Sequence, residues 1–463
     1  MLASLKKAGW LITLTVLFSQ AAQAQQPDLE ERMRDLERQV ELLEQRLAAR
    51  DSAQIAELMR RIEALTREIE TLKLGQDVVV EAGEEVHGLG PAASKVYRVQ
   101  SGVSIGGYGE VLYERFANQR EDGSVAGKTD QLDALRAVIY VGYKFDDRFL
   151  FNSEIEVEHA ATSNAGSVSV EFAYVDYLAF ESIGFRAGLV LLPMGFLNEM
   201  HEPITFLGTD RPETELRIIP STWRENGVGF FGEEGGFVYR GYVINGLDAI
   251  GGGTSDASGF SASGLRGGRQ KGSKAVAEKF AAVGRLDYVG KLGLVMGASA
   301  YIGDSGQNNL LDPGDPAAGT IQALTLISEG HAQYKAHGWN LRGLIAFSAV
   351  ENAAEINARQ GFAGDESVGE RLVGWYIEAG YDVLHRGAAR QQLVPYVRLE
   401  QLNTQQKVPA GFAANPENDR RIVTIGAAWR PLNRIVGKAD YQINSNEANT
   451  GVNQFNVSLG YVF

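Results

Sequence analysis

From residue 98 onward, apolar and polar side chains alternate with a period of two. In "LRAVIYVGY", Leu135, Ala137, Ile139, Val141 and Tyr143 share one face. In "FLFNSEIEVEH", Phe149, Phe151, Ser153, Ile155 and Val157 share one face, and Asn152, Glu154, Glu156 and Glu158 share the other. The final run, "VNQFNVSLGYVF", sets Phe455, Val457, Leu459, Tyr461 and Phe463 against Gln454, Asn456, Ser458 and Gly460. Such alternation marks antiparallel strands with one apolar and one polar face. It occurs in soluble sheets and in membrane barrels, where the apolar face meets lipid.

Connection lengths separate the two. Short links fall at Asp146-Asp147, Ser182-Ile183-Gly184, Glu234-Gly235, Gly290-Lys291, His337-Gly338, His385 to Ala389 and Pro431-Leu432-Asn433. Longer links fall at 116–131, 160–167, 193–223, 246–274, 304–320, 351–368, 403–419 and 445–451. The two kinds alternate strictly, so eight long and seven short links separate sixteen strands. Short turns at one end, long loops at the other and an even strand number are the signature of an outer-membrane barrel. The last strand is expected to close onto the first, "SGVSIGGYGEVLYE", which leaves no open edge. Phe463 would then lie at the periplasmic rim, facing lipid. Tyr113, Tyr143, Phe180, Phe185, Tyr288, Tyr301, Trp339, Trp375, Tyr381, Trp429 and Tyr461 lie near strand ends, as interfacial girdles require.

The period differs upstream. Lys6 and Lys7, the apolar "WLITLTVLF" and Ala22-Gln23-Ala24 read as a signal peptide over 1–24. Over 25–74 the period is helical: Leu29, Met33, Leu36, Val40, Leu43 and Leu47, then Ile55, Leu58, Ile62, Leu65, Ile69 and Leu72, fall at steps of three and four. These are coiled-coil heptads with charged flanks, placed in the periplasm. The register breaks at "ARDSA", which suits one long coil with a skip or a short hairpin. Residues 75–97, acidic and glycine-bearing, read as a linker. The barrel domain follows over 98–463.

Composition narrows the chemistry. There are no cysteines, which excludes a disulfide scaffold and a thiol nucleophile. The net charge of −14 argues against nucleic acid as a partner. No nucleophile elbow, phosphate loop or H-E-x-x-H pattern appears, so no enzyme activity, cofactor or metal is expected.

One stretch is more specific than the alternation. "FRAGLVLLPMGFLNEMHEP", followed by "STWRENGVGFFGE", carries a strand into a long third loop and back through Trp223. With the cleaved signal, the strand count and the terminal Phe, it resembles the phosphate-selective porin O and P family of bacterial outer-membrane porins. The resemblance covers residues 98–463. It implies a homotrimer of sixteen-stranded barrels, an inward third loop acting as constriction, and an amino-terminal coiled coil.

The candidate pore-lining residues are Arg136, Arg186, Arg240, Arg285, Arg342, Arg398 and Lys438, with Glu154, Glu156 and Glu158. Further acids, Glu110, Glu171, Glu329, Glu400 and Asp440, share the presumed lumen face. The family's phosphate selectivity rests on an arginine ladder, and these mixed signs do not assemble one. The three glutamates lie about 7 Å apart along one strand. They form either a cation-attracting stripe or one neutralised by neighbouring arginines. The constriction loop carries Glu199, His201, Glu202, Asp210, Arg211, Glu213, Glu215 and Arg217. Their interleaved signs suit a transverse field or ion pairs that hold the loop to the wall.

The sequence thus reads as an all-β membrane protein of the outer membrane. Its expected function is a porin, a water-filled channel for passive diffusion of small hydrophilic solutes and ions, phosphate or other anions among them. The alternative is an envelope tether acting through the coiled coil on peptidoglycan or a periplasmic partner. Outer-membrane lipids and lipopolysaccharide are the expected surroundings.

Overall fold

The computed structural model describes residues 34–41, 60, 86–162, 166–386 and 391–463. The signal segment lies outside the described residues. So does the coiled coil expected over 25–74, apart from a helical stretch at 34–41 and residue 60.

Sixteen strands form one closed sheet. They are β1 (Gly102–Phe116), β2 (Gln131–Lys144), β3 (Phe149–Glu158), β4 (Ser167–Leu178), β5 (Gly184–Leu191), β6 (Arg224–Glu234), β7 (Phe237–Asn245) and β8 (Phe280–Lys291). The second half is β9 (Leu294–Asp304), β10 (Leu324–Ala336), β11 (Trp339–Val350), β12 (Arg371–Tyr381), β13 (Gln392–Lys407), β14 (Asp419–Leu432), β15 (Ile435–Asn446) and β16 (Gln454–Val462). Every strand pairs antiparallel with its sequence neighbours. The ring closes where β1 meets β16, with Tyr108 opposite Val462 and Phe116 opposite Gln454. Phe463 continues the seam through two backbone hydrogen bonds with Gly107, 2.9 and 3.0 Å long. No edge is left to template another chain.

The links alternate as the sequence reading expects. Turns as short as two residues, 235–236 and 337–338, gather at one end with the start of β1. Long loops, including 192–223 and 246–279, gather at the other.

The two faces sort by chemistry. On β16, Phe455, Val457, Leu459 and Tyr461 point out, while Gln454, Asn456 and Ser458 are buried within. On β2, Ile139 and Tyr143 are exposed and their neighbours Val138 and Tyr140 are buried. Outward aromatics collect at the short-turn end and pair there: Phe149 with Tyr177, Phe237 with Tyr288, and Trp339 with Tyr381, ring centroids 4.8 to 5.3 Å apart. Tyr301 corrects the girdle. Its side chain is fully buried inside the barrel, 4.9 Å from the Trp223 ring. Among the described residues, no helix is long and apolar enough to cross a membrane.

Much of the inside of the barrel is filled. The apolar run Val190–Leu192, Met194, Phe196 and Leu197 cannot stay in water, and it turns inward to join Ile218, Ile219 and Trp223. Residues 86–97 join the same interior. Leu89, Ala92, Ala93 and Val96 are buried there, and Ala93–Tyr97 forms a 3-10 turn. This part of the expected linker is not a spacer. Its few apolar residues meet a wall shaped to take them: Ala92 lies against Gly106 of β1 and Val96 against Gly142 of β2.

Candidate functional site

Residues 192–223, loop 3, leave β5 and cross the lumen to the opposite wall. The crossing is pinned residue by residue. Arg430 donates to the Ile204 carbonyl (2.8 Å), Arg342 to the Thr205 carbonyl (3.0 Å) and Lys438 to the Gly208 carbonyl (2.8 Å). The Lys438 ammonium also sits 3.6 Å from the centre of the Phe206 ring. Asp440 accepts from the Thr209 amide and hydroxyl, both at 2.8 Å, from Tyr396 at 2.8 Å and from Asn456 at 3.0 Å. Asp210 accepts from Gln442 (2.8 Å) and Gln454 (3.0 Å), while its carbonyl accepts from Arg398 (3.2 Å).

The short helix Glu213–Arg217 continues the anchorage. The Thr214 amide donates to Glu400 (2.5 Å), and Tyr376 donates to Glu215 (2.6 Å). Glu213 pairs with Arg217 (2.8 Å) on the helix and with Arg420 (3.3 Å) on β14. Most of the interleaved charges in the loop therefore hold it to the wall. Arg217, bound to Glu213 of the loop itself, and Arg211 are exceptions. The Arg211 Nε and one of its terminal nitrogens have no hydrogen-bond partner.

The other half of the lumen holds the remaining expected residues. Glu154 meets His201 at 3.1 Å, and Glu156 lies 3.7 Å from Arg136. Glu158 is half-buried and accepts from Ser167 (3.1 Å). Glu110 lies 3.6 Å from Arg136, and Glu171 pairs with Arg224 at 2.6 Å. Of the three β3 glutamates, Glu156 thus lies beside a cation, Glu154 beside an imidazole and Glu158 beside a hydroxyl. Arg186 is clamped by Asp176, with nitrogen-oxygen distances of 2.8 and 3.0 Å, and lies over the Tyr174 ring. Arg240 joins Glu199 (2.8 Å) to Asp287 (2.6 Å). Arg285 binds Asp287 (2.7 Å) and the Gly195 carbonyl. Glu202 accepts from the Ala92 and Ala93 amides at 3.0 and 3.2 Å.

Sequence reasoning missed Asp176, Arg224, Asp287 and His331. His331 lies between Asp287 and Glu329, 2.9 Å from each. A period-two signal was present, since Glu329 and His331 share one face of β10, as Arg285 and Asp287 share one face of β8. What could not be read was their meeting across two intervening pairings.

Two cavities flank the crossing. One, of about 520 Å³ at the short-turn end, is lined by Pro91, Ile204, Thr205, Trp339, His385 and Arg430. The other, of about 680 Å³ at the long-loop end, is lined by eight basic and six acidic side chains, with Arg136, Arg211, Arg217 and Arg398 among the former. In the loop itself, burial and the neighbouring Asp440 push the Asp210 carboxyl up to about 7. Burial, with the nearby Arg211, pushes the His201 imidazole down to about 3.

A relative from Aquifex aeolicus (strain VF5), itself described as an uncharacterized protein, is 36% identical over 379 residues, 80% of this chain and 82% of its own. The chain belongs to the family of that Aquifex protein. No family model matches. Among solved structures, the chain is similar to an anion-selective porin from Comamonas acidovorans, at 13% identity and TM-score 0.48 over 78% of this chain and 100% of the other. It is similar as well to the outer-membrane channel DcaP of Acinetobacter baumannii, at 12% identity and TM-score 0.46 over 78% of this chain and 97% of the other. The trimer form of OmpT, an outer-membrane protein of Vibrio cholerae, aligns at 13% identity and TM-score 0.46 over 79% and 100%.

Proposed function

We propose that the protein is an outer-membrane porin, a passive channel for small hydrophilic solutes and ions. One observation carries the reading: a closed barrel with an apolar outer band and a charged interior, crossed by loop 3 with a cavity on each side. The outer band would meet lipid, with the short turns in the periplasm and the long loops outside. Loop 3 would be the constriction, and its flanking charges would bias which ions pass. Assembly as a homotrimer fits an outer groove over β7–β9 floored by Gly241, Gly284, Ala298 and Ala300, where a second barrel can approach closely.

The dense packing of the lumen favours a second reading, a tether that does not conduct. Single-channel recording in a planar bilayer decides between them. Discrete steps support the porin; silence in correctly inserted trimers leaves the tether.

Both signs line the larger cavity, so selectivity should be weak, phosphate included. Replacing Glu158, the β3 glutamate that lines this cavity, with glutamine is expected to move the reversal potential in a salt gradient toward anions. A wild-type channel with a strong preference for phosphate over chloride would contradict this.

The hold on loop 3 should depend on pH. Folding raises the Asp210 pKa, so the carboxyl favours the folded loop when protonated. That contribution is complete below the ordinary carboxylate range and is lost as pH rises through about 7. The facing groups are Asp440, Glu114 and Arg398, with Gln442 as donor. Current noise is therefore expected to grow as pH rises from about 4 to above about 7, and Asp210→Asn should flatten the change. A noise level in the wild type that does not change with pH would refute it.

A further inference from the structure

We propose that residues 86–97 are a plug that narrows the short-turn mouth of the barrel and is latched to loop 3. The inference rests on the channel reading above and adds a device to it.

The segment lies inside the wall, not beneath it. Its contacts run around the β1–β7 half of the lumen. Asn152 of β3 donates to the Ala93 carbonyl at 3.0 Å. The Tyr97 hydroxyl donates to Asp176 of β4 at 2.6 Å and accepts from Arg186 of β5 at 2.9 Å. The His87 ring lies 4.6 Å from Phe231 of β6. Gly88, at φ +83°, sits so close to Arg240 of β7 that a side chain there would collide with the guanidinium.

The wall is shaped to receive the segment. At Gly142 of β2 an added Cβ would come within 2.6 Å of a Val96 methyl, and at Gly106 of β1 within 2.9 Å of the Ala92 carbonyl. Bulky side chains at these two positions would displace the 3-10 turn.

The latch is Glu202. It is fully buried, and one of its oxygens accepts from two successive amides, Ala92 and Ala93. A single loop 3 carboxylate thereby joins the plug to the crossing. With both in place, Pro91 and Ile204 border the remaining cavity of about 520 Å³ on the far side, toward Trp339 and Arg430. The plug and the loop close the mouth together, and releasing one frees a face of the other.

The test is single-channel recording of the full-length trimer, of a variant lacking residues 86–97, and of the latch variant Glu202→Ala with Asn152→Ala. The deletion is expected to raise conductance at least about twofold, because flow follows the open cross-section. The latch variant leaves every strand pairing intact and is expected to show brief openings to the same higher level. The pair Val96→Cys and Gly142→Cys tests the docking itself, since the chain has no cysteine of its own. The Val96 Cβ lies 2.7 Å from the position of a Gly142 Cβ, close enough for a disulfide after a small outward shift. The cross-link is expected to form and to suppress the latch variant's openings when the two are combined.

A conducting wild type whose conductance neither the deletion nor the latch variant changes overturns the plug alone. A cysteine pair that does not cross-link overturns it too. Silence in the wild type, the deletion and the latch variant alike overturns the channel reading instead.

Discussion

Replacing Ile139 with lysine is expected to destabilise the folded barrel by about 2–4 kcal/mol, the cost of a cation on the lipid face near mid-bilayer. Ile139 is 51% exposed on the outer face of β2, and its neighbour Val138 faces inward at 2%. It lies four residues inside Tyr143, which belongs to the aromatic girdle. A step of about 3.3 Å per residue, reduced by strand tilt, places it near the middle of an apolar band about 25 Å tall. Urea titration of folding into phospholipid vesicles reads the effect, with Ile139→Leu as the control near zero. An unchanged midpoint for the lysine variant would mean that this face does not meet lipid.

The second large effect is expected inside. Asp440→Ala removes the acceptor for the Thr209 amide and hydroxyl, the Tyr396 hydroxyl and the Asn456 amide. Donors left buried without a partner cost about 1–3 kcal/mol each, and rearrangement of the loop relieves part of that sum. The segment from Phe206 to Asp210 should therefore leave the wall. Lys438 would lose its contacts with the Gly208 carbonyl and the Phe206 ring in the same movement. Recordings should show a larger and noisier conductance with the barrel still heat-modifiable on gels. Asp440→Asn, which keeps one acceptor oxygen, should fall between. A variant indistinguishable from wild type would place the hold on loop 3 elsewhere, with Arg398 and Glu400 the next anchors to remove.

The barrel was legible because its constraints are local and repeated. A period of two names the strand faces, and a one-residue slip in any strand would carry its apolar set into the interior. The alternation of short and long links fixes which strands neighbour one another. The inward charges of β3 followed from the same period: Glu154 and Glu156 are buried on the face opposite Ile155. Tyr301 misled because an aromatic near a strand end suits either face. Its partner, Trp223, lies far away in sequence at the end of loop 3.

The sequence by itself determined the antiparallel barrel, its sixteen strands, the closure of the last strand on the first, and the loop rich in charge and apolar side chains. These follow from backbone pairing and from sorting side chains between two media, which a chain encodes residue by residue. Only the tertiary structure decided what fills the interior. Loop 3 is held by Lys438 and Asp440, some 230 residues away in the chain, and Glu202 reaches back to Ala92 and Ala93, about 110 residues earlier. Residues 86–97 carry no period, so nothing local marks them as buried. Their place comes from glycines at Gly106 and Gly142 and from a carboxylate on another loop, which meet only when the sheet has closed. Pairings of that kind depend on the curvature of the whole barrel, and no stretch of sequence contains it.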